Sequence, residues 1–108
     1  MKKGDVCLID FNLGVGNEQY GERPAILISD TKTKIVVVIP FTSNLEALRF
    51  PYTLVISPSV KNNLKQKSIA LIFHIRSIDK IRIIKTIGKI DLKFQKEIDG
   101  ILKRMLGL

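Results

Sequence analysis

The chain has 108 residues, 45% of them hydrophobic, which suits one core, leaves no room for a second domain, and includes no apolar run near the roughly 18 residues of a membrane-spanning helix. Lys and Arg total 18 against 10 Asp and Glu, a net charge of +8, which points to an anionic partner such as nucleic acid. One cysteine, Cys7, and one histidine, His74, exclude an internal disulfide and leave a Cys/His zinc site without ligands.

Met1-Lys2-Lys3-Gly4-Asp5 runs into an acidic residue where a secretion signal would continue into a long apolar stretch, so a cytoplasmic location is expected. Residues 5–11 alternate imperfectly and read as a first strand, with Cys7 as core filler. Residues 13–23, with Gly14, Gly16 and Gly21 among polar neighbours, read as a loop. Residues 25–29 and 35–41 are dense in β-branched side chains and read as central strands, joined by a polar hairpin at 30–34. Pro40 cannot donate to a ladder, which requires an edge, a bulge or a bend just before Phe41 and Thr42.

Further strands are expected at 52–56, 68–75 and 81–87, separated by turn-rich pieces such as Ser57-Pro58-Ser59 and Asn62-Asn63. From Asp91, placed to cap, Phe94, Ile98, Ile101, Leu102, Met105 and Leu106 mark one stripe of a helix. Lys93, Lys96, Lys103 and Arg104 fall on its other side, the pattern of a solvated face. The expected fold is mainly β with a C-terminal helix.

Charge is divided unevenly. Residues 1–60 hold 6 basic and 6 acidic side chains, whereas residues 61–108 hold 12 and 4, so the whole excess lies in the second half. The glycines at 14 and 16 do not complete a dinucleotide fingerprint, because position 19 is Gln and no helical pattern follows. A single histidine excludes a two-histidine acid–base pair, and the scattered carboxylates suggest no metal cluster. In Gly21-Glu22-Arg23-Pro24 the proline biases Arg23 toward extended backbone and fixes where its guanidinium leaves the chain. Such a fork of donors can grip two phosphoryl oxygens.

Lys3-Gly4-Asp5-Val6, Gly14-Val15-Gly16-Asn17-Glu18-Gln19, Arg23-Pro24, Pro40-Phe41-Thr42-Ser43-Asn44 and Ile75-Arg76-Ser77-Ile78-Asp79-Lys80 occur in that order, and together they resemble the MazF/PemK toxins. The resemblance runs from about Lys3 through the terminal helix. It implies an SH3-like or CcdB-like small β-barrel, usually dimeric, and a cofactor-free, metal-independent endoribonuclease of a type II toxin–antitoxin system. The implied reaction is attack of a ribose 2′-hydroxyl of single-stranded RNA on the adjacent phosphate, giving 2′,3′-cyclic phosphate and 5′-hydroxyl ends. Implied partners are that RNA, a cognate acidic antitoxin, a second copy of the chain, and operator DNA only through the antitoxin complex. Arg23 and Thr42 take the catalytic positions. Asn17, Glu18, Gln19, Ser43, Asn44, His74 and Arg76 are the candidate RNA contacts, and Glu18 and His74 are candidate proton acceptors by residue type alone.

The chain departs from the family at His74, where Gln is common, and at Phe73, where a carboxylate is common just upstream. Leu71 and Phe73 also stand where the PemK/Kid branch uses its arginine and acid. Two other readings compete. A non-catalytic nucleic-acid-binding barrel fits the charge, but no run interleaves aromatic and basic residues as a base-stacking platform would. A CcdB-like gyrase-inhibiting toxin would depend on a C-terminal Trp-Gly-Ile, whereas this chain ends Leu106-Gly107-Leu108 and has no Trp.

Overall fold

The computed structural model describes residues 1–11 and 21–108. Asn17, Glu18 and Gln19 lie outside the described residues, as does most of the expected glycine-containing loop. Among the described residues the strands are β1 (Asp5–Asp10), β2 (Glu22–Asp30), β3 (Ile35–Thr42), β4 (Thr53–Ile56), β5 (Ser68–Leu71), β6 (Arg76–Asp79) and β7 (Ile83–Lys89), followed by helix α1 (Leu92–Leu106). Short 3-10 turns occupy Leu45–Arg49, Ile72–His74 and Lys80–Arg82.

The strands run in the order β4-β5-β3-β2-β1-β7, with β6 also beside β3. All their pairings are antiparallel. The expected small barrel takes the form of a sheet in which β4 and β7 are the two ends of the path. One edge of β3 serves two partners. Ile35 to Val38 pair with Asp79 to Arg76 of β6, whereas Phe41 and Thr42 pair with Ala70 and Ile69 of β5. Pro40 sits in the gap between these two pairings while facing Ala25 of β2 on the other side. The bend required by its missing N–H is this change of partner.

β1, β2 and β3 are buried on both faces, which is why their sequences are nearly continuous apolar runs. Val6, Ile26, Ile39 and Phe41 join Ile56, Ala70, Ile72 and the helix residues Ile98 and Ile101 in one core. The alternate residues Cys7, Ile9, Ala25, Leu27, Val36 and Val38 form a second core with Phe11 and Ile78. Burial pushes the Cys7 thiol up, against the opposing effect of a Thr86 hydroxyl 3.8 Å away. It therefore stays a protonated core side chain at neutral pH.

Helix α1 matches the expected stripe, with Ile98 and Ile101 buried and Phe94, Leu102 and Met105 packed against the first core. Leu106, at the end of the stripe, is instead exposed. Lys93, Lys96, Lys103 and Arg104 are exposed as expected. Gly107 ends the helix in the left-handed region at φ 71°, and the Leu108 N–H donates to the Lys103 carbonyl at 2.9 Å.

Three local expectations are corrected. Asp91 occupies the N-cap position, but its side chain makes no capping bond. Instead its Oδ2 accepts from the Ser59 hydroxyl at 3.0 Å. The strand expected over 68–75 stops at Leu71, where the chain turns through Ile72–His74 and the Ile75 N–H donates to the Ile72 carbonyl. β6 then follows as a strand that its sequence does not advertise, since only Ile78 of its four residues is buried. The strand expected from 81 begins at Ile83, because the Asp79 carboxylate accepts from the Ile81 N–H at 3.0 Å and holds a 3-10 turn.

The connection from β4 to β5 is built around Asn62, which is fully buried. Its Oδ1 accepts from the N–H groups of Ser59 and Leu64 at 3.0 and 2.9 Å, and its Nδ2 donates to the Ser57 carbonyl at 3.0 Å. Gly88 of β7 passes under this loop. A Cβ there would lie 2.4 Å from the Asn62 carbonyl oxygen and 2.8 Å from that of Lys61. Both are backbone atoms, so the loop must move to admit it. Gly88→Ala is therefore expected to destabilise the protein by about 1–3 kcal/mol, read as a lower urea midpoint with an unchanged m-value.

Candidate functional site

Arg23 leaves β2 opposite Ile9 of β1, next to Pro24, which pairs with Leu8. The β2–β3 register sets Ala25 against Pro40. The same register carried two residues further brings Arg23 level with Thr42. Both line one cavity of about 650 Å³, with Glu22, Ser43, Asn63, Lys65, Gln66, Ser68 and Lys85 among its other walls. Two residues separated by 19 positions in the chain thus converge because adjacent antiparallel strands place them there.

Thr42 is 8% exposed, and its Oγ1 accepts from the Asn44 N–H at 3.2 Å. That bond fixes the oxygen and leaves the hydroxyl proton to be donated elsewhere. Asn44 in turn accepts from the Glu46 N–H through Oδ1 at 3.0 Å and caps the 3-10 turn at Leu45–Arg49. Its carbonyl end is therefore occupied by the fold.

Thr42 also lines a second cavity of about 280 Å³, with Asn44, Glu46, Ala47, Arg49, Phe50, Leu71, Phe73 and His74. The candidate residues therefore divide. Arg23, Thr42 and Ser43 meet in the first cavity, and Thr42, Asn44 and His74 in the second. Arg76 lines neither, and its guanidinium lies 5.3 Å from the centre of the Phe11 ring.

Sequence reasoning missed Lys65, Gln66 and Lys85 as walls of the first cavity. Lys85 stands on β7 opposite Leu8, and Lys65 follows the Asn62 loop, so no local motif links either to Arg23. It also missed Glu22 as a carboxylate on that cavity's wall, although its position beside Arg23 was a signal. Arg49 and Phe50 were missed because Phe73 and His74, which share their cavity, arrive from the turn after β5. Among the described residues no three of His, Cys, Asp and Glu gather in one place.

The chain matches the family described as "PemK-like, MazF-like toxin of type II toxin-antitoxin system" over residues 2–106. It is 33% identical over 112 aligned positions to Endoribonuclease MazF of Staphylococcus saprophyticus, covering 100% of this chain and 92% of that protein. Among solved structures, MazF (Form-I) of Deinococcus radiodurans aligns with a TM-score of 0.82 at 25% identity, over 100% of this chain and 97% of that one. An endoribonuclease in complex with its cognate antitoxin, from a mycobacterial species, shares the fold with a TM-score of 0.75 at 20% identity, over 98% and 94% of the two chains.

The position of Lys65 and Gln66 over the first cavity depends on Asn62. Asn62→Ala leaves the Ser59 and Leu64 N–H groups without their acceptor and is expected to cost about 1–3 kcal/mol. Amide exchange of residues 63–66 should accelerate more than that of β1 to β3, which checks that the loss is local.

Proposed function

The chain belongs to the PemK-like, MazF-like family of toxins of type II toxin–antitoxin systems, and from that premise we propose that it is a metal-independent endoribonuclease that cuts single-stranded RNA at the phosphate held between Arg23 and Thr42. The observation that supports this most is the meeting of those two side chains in one cavity whose walls also include Lys65 and Lys85. The 33% identity to Endoribonuclease MazF, spread over the full chain, supports the same activity.

The substrate supplies its own nucleophile, the ribose 2′-hydroxyl. Its oxygen forms a bond to the adjacent phosphorus as the bond to the 5′-oxygen of the next nucleotide breaks and that oxygen takes up a proton from solvent, leaving a 2′,3′-cyclic phosphate and a 5′-hydroxyl. Arg23 neutralises the charge that builds on the phosphoryl oxygens, and two N–H donors of its fork can reach two of them. The Thr42 hydroxyl, with its oxygen fixed by the Asn44 N–H, donates to a phosphoryl oxygen and holds the in-line geometry. Arginine keeps its proton at ordinary pH, so the 2′-hydroxyl proton goes to another group. Glu22 is the carboxylate on the same cavity wall, which makes it a proton acceptor by position as well as type. His74 lies across Thr42 in the other cavity.

Lys65 and Lys85 are exposed beside the cavity and suit the flanking phosphates of a strand. The cognate inhibitor is proposed to be an acidic antitoxin segment complementary to the +8 charge. The working form is proposed to be a cytoplasmic homodimer, with operator DNA engaged only through the antitoxin complex.

With a long single-stranded RNA in EDTA, the wild type is expected to cut at a short motif and leave cyclic-phosphate ends. Arg23→Ala should lose roughly 10²- to 10³-fold in kcat, and Thr42→Ala about 10²-fold. Equal cleavage by all three proteins would sink the proposed centre, and binding without cleavage by wild type would favour the non-catalytic barrel. Lys85→Ala should instead weaken RNA binding across all sequences and reduce the slope of log K against log salt by about 0.7, measured by titration at several ionic strengths.

A further inference from the structure

The second cavity has a chemistry unlike the first. Phe50 and Phe73 bring their rings to 5.5 Å at an angle of 51°. The His74 ring meets Phe73 edge-on at 4.8 Å and 79°, and the Arg49 guanidinium stands 5.0 Å from the centre of the Phe50 ring. These four residues share the cavity with Thr42. They come from two separate connections. The β4–β5 register sets Thr53 against Leu71, and the two connections leave the paired strands side by side there. The Phe73 N–H donating to the Tyr52 carbonyl at 3.3 Å ties the two segments together there.

A well-packed core would hide such rings, yet Phe50 is 43% exposed. Open aromatic faces with a guanidinium alongside take up unstacked bases, since every base offers a π-face and arginine adds a cation–π contribution. Thr42 joins the two cavities, because it lines this one and the one that contains Arg23.

We propose that the cavity formed by Arg49, Phe50, Phe73 and His74 is a stacking subsite for the base of a nucleotide flanking the phosphate held at Arg23 and Thr42. This assignment rests on the ribonuclease reading above. The subsite reads the face of the base more than its edge, so that position of the cleavage motif tolerates several bases but needs one to be present.

The chain has no tryptophan, so a Phe50→Trp variant carries a single reporter inside the cavity. It is titrated with single-stranded RNA bearing the cleavage motif and made uncleavable by 2′-O-methyl groups. The expected result is quenching of the tryptophan that disappears when an abasic residue replaces one of the two nucleotides flanking the cut. Phe73→Leu in the same background keeps apolar bulk but removes a ring, and is expected to weaken binding by about 5- to 150-fold, with thermal melting as a check of folding. In wild-type background Phe73→Leu should raise KM with kcat largely retained, whereas Arg23→Ala should lower kcat.

Absence of quenching, quenching insensitive to both abasic positions, or unchanged affinity in Phe73→Leu would each overturn the subsite. A response to an acidic peptide alone, with none to RNA, would make the cavity a peptide groove and overturn it too. Stacking without any cleavage by wild type would leave the subsite standing while removing the ribonuclease reading.

Discussion

The architecture turns on the change of partner along one edge of β3. Its first half pairs with β6 and its end pairs with β5, and a proline at the changeover asks nothing of either neighbour. β5 takes over at Phe41, and Phe41 lies in the core that α1 covers. Thr42, next in the chain, projects to the opposite side and reaches both cavities. The change of partner after Val38 thus sets the location of the threonine.

The loop around Asn62 makes the corresponding contribution from the other side. An amide buried in a core is tolerated only when its donors and acceptors are met, and Asn62 meets them with the backbone of its own loop. Its neighbour Ser59 reaches the Asp91 carboxylate at the start of α1, and Gly88 lets the loop lie directly on β7. The result is a rigid seat for Lys65. The two lysines that share a cavity with Arg23, Lys65 and Lys85, both belong to the basic second half of the sequence, whereas Arg23 and Thr42 belong to the balanced first half. The sheet is what joins the two halves at one cavity.

Much of this was legible beforehand. The two central strands, their polar hairpin and the terminal helix follow from patterns that depend on neighbouring residues, namely runs of β-branched side chains and a stripe of period 3.6. The weak elements were not legible. β6 has one buried residue among four, so its existence depends on the unpaired edge of Ile35 to Val38. The breaks at Ile72 and Lys80 come from local hydrogen bonds that end strands the apolar pattern would continue. Of the candidate site, Arg23 and Thr42 were named through the family resemblance that the ordered motifs carry. The aromatic cluster was missed, because a search along the chain for interleaved aromatic and basic residues cannot see Phe50 and Phe73 meet across a hairpin.

By itself the sequence determined the class of fold, the basic balance, the core role of Cys7 and the catalytic candidates Arg23 and Thr42. These depend on composition, on spacing within one element or on a short ordered motif. Only the tertiary structure decided that Lys65, Lys85 and Glu22 stand around Arg23, that Arg76 turns instead to Phe11, and that Thr42 is the wall between a basic cavity and an aromatic one. Those relations arise from register between strands far apart in the chain, and register is fixed by the burial of both faces of β2 and β3 and the partner change at Pro40.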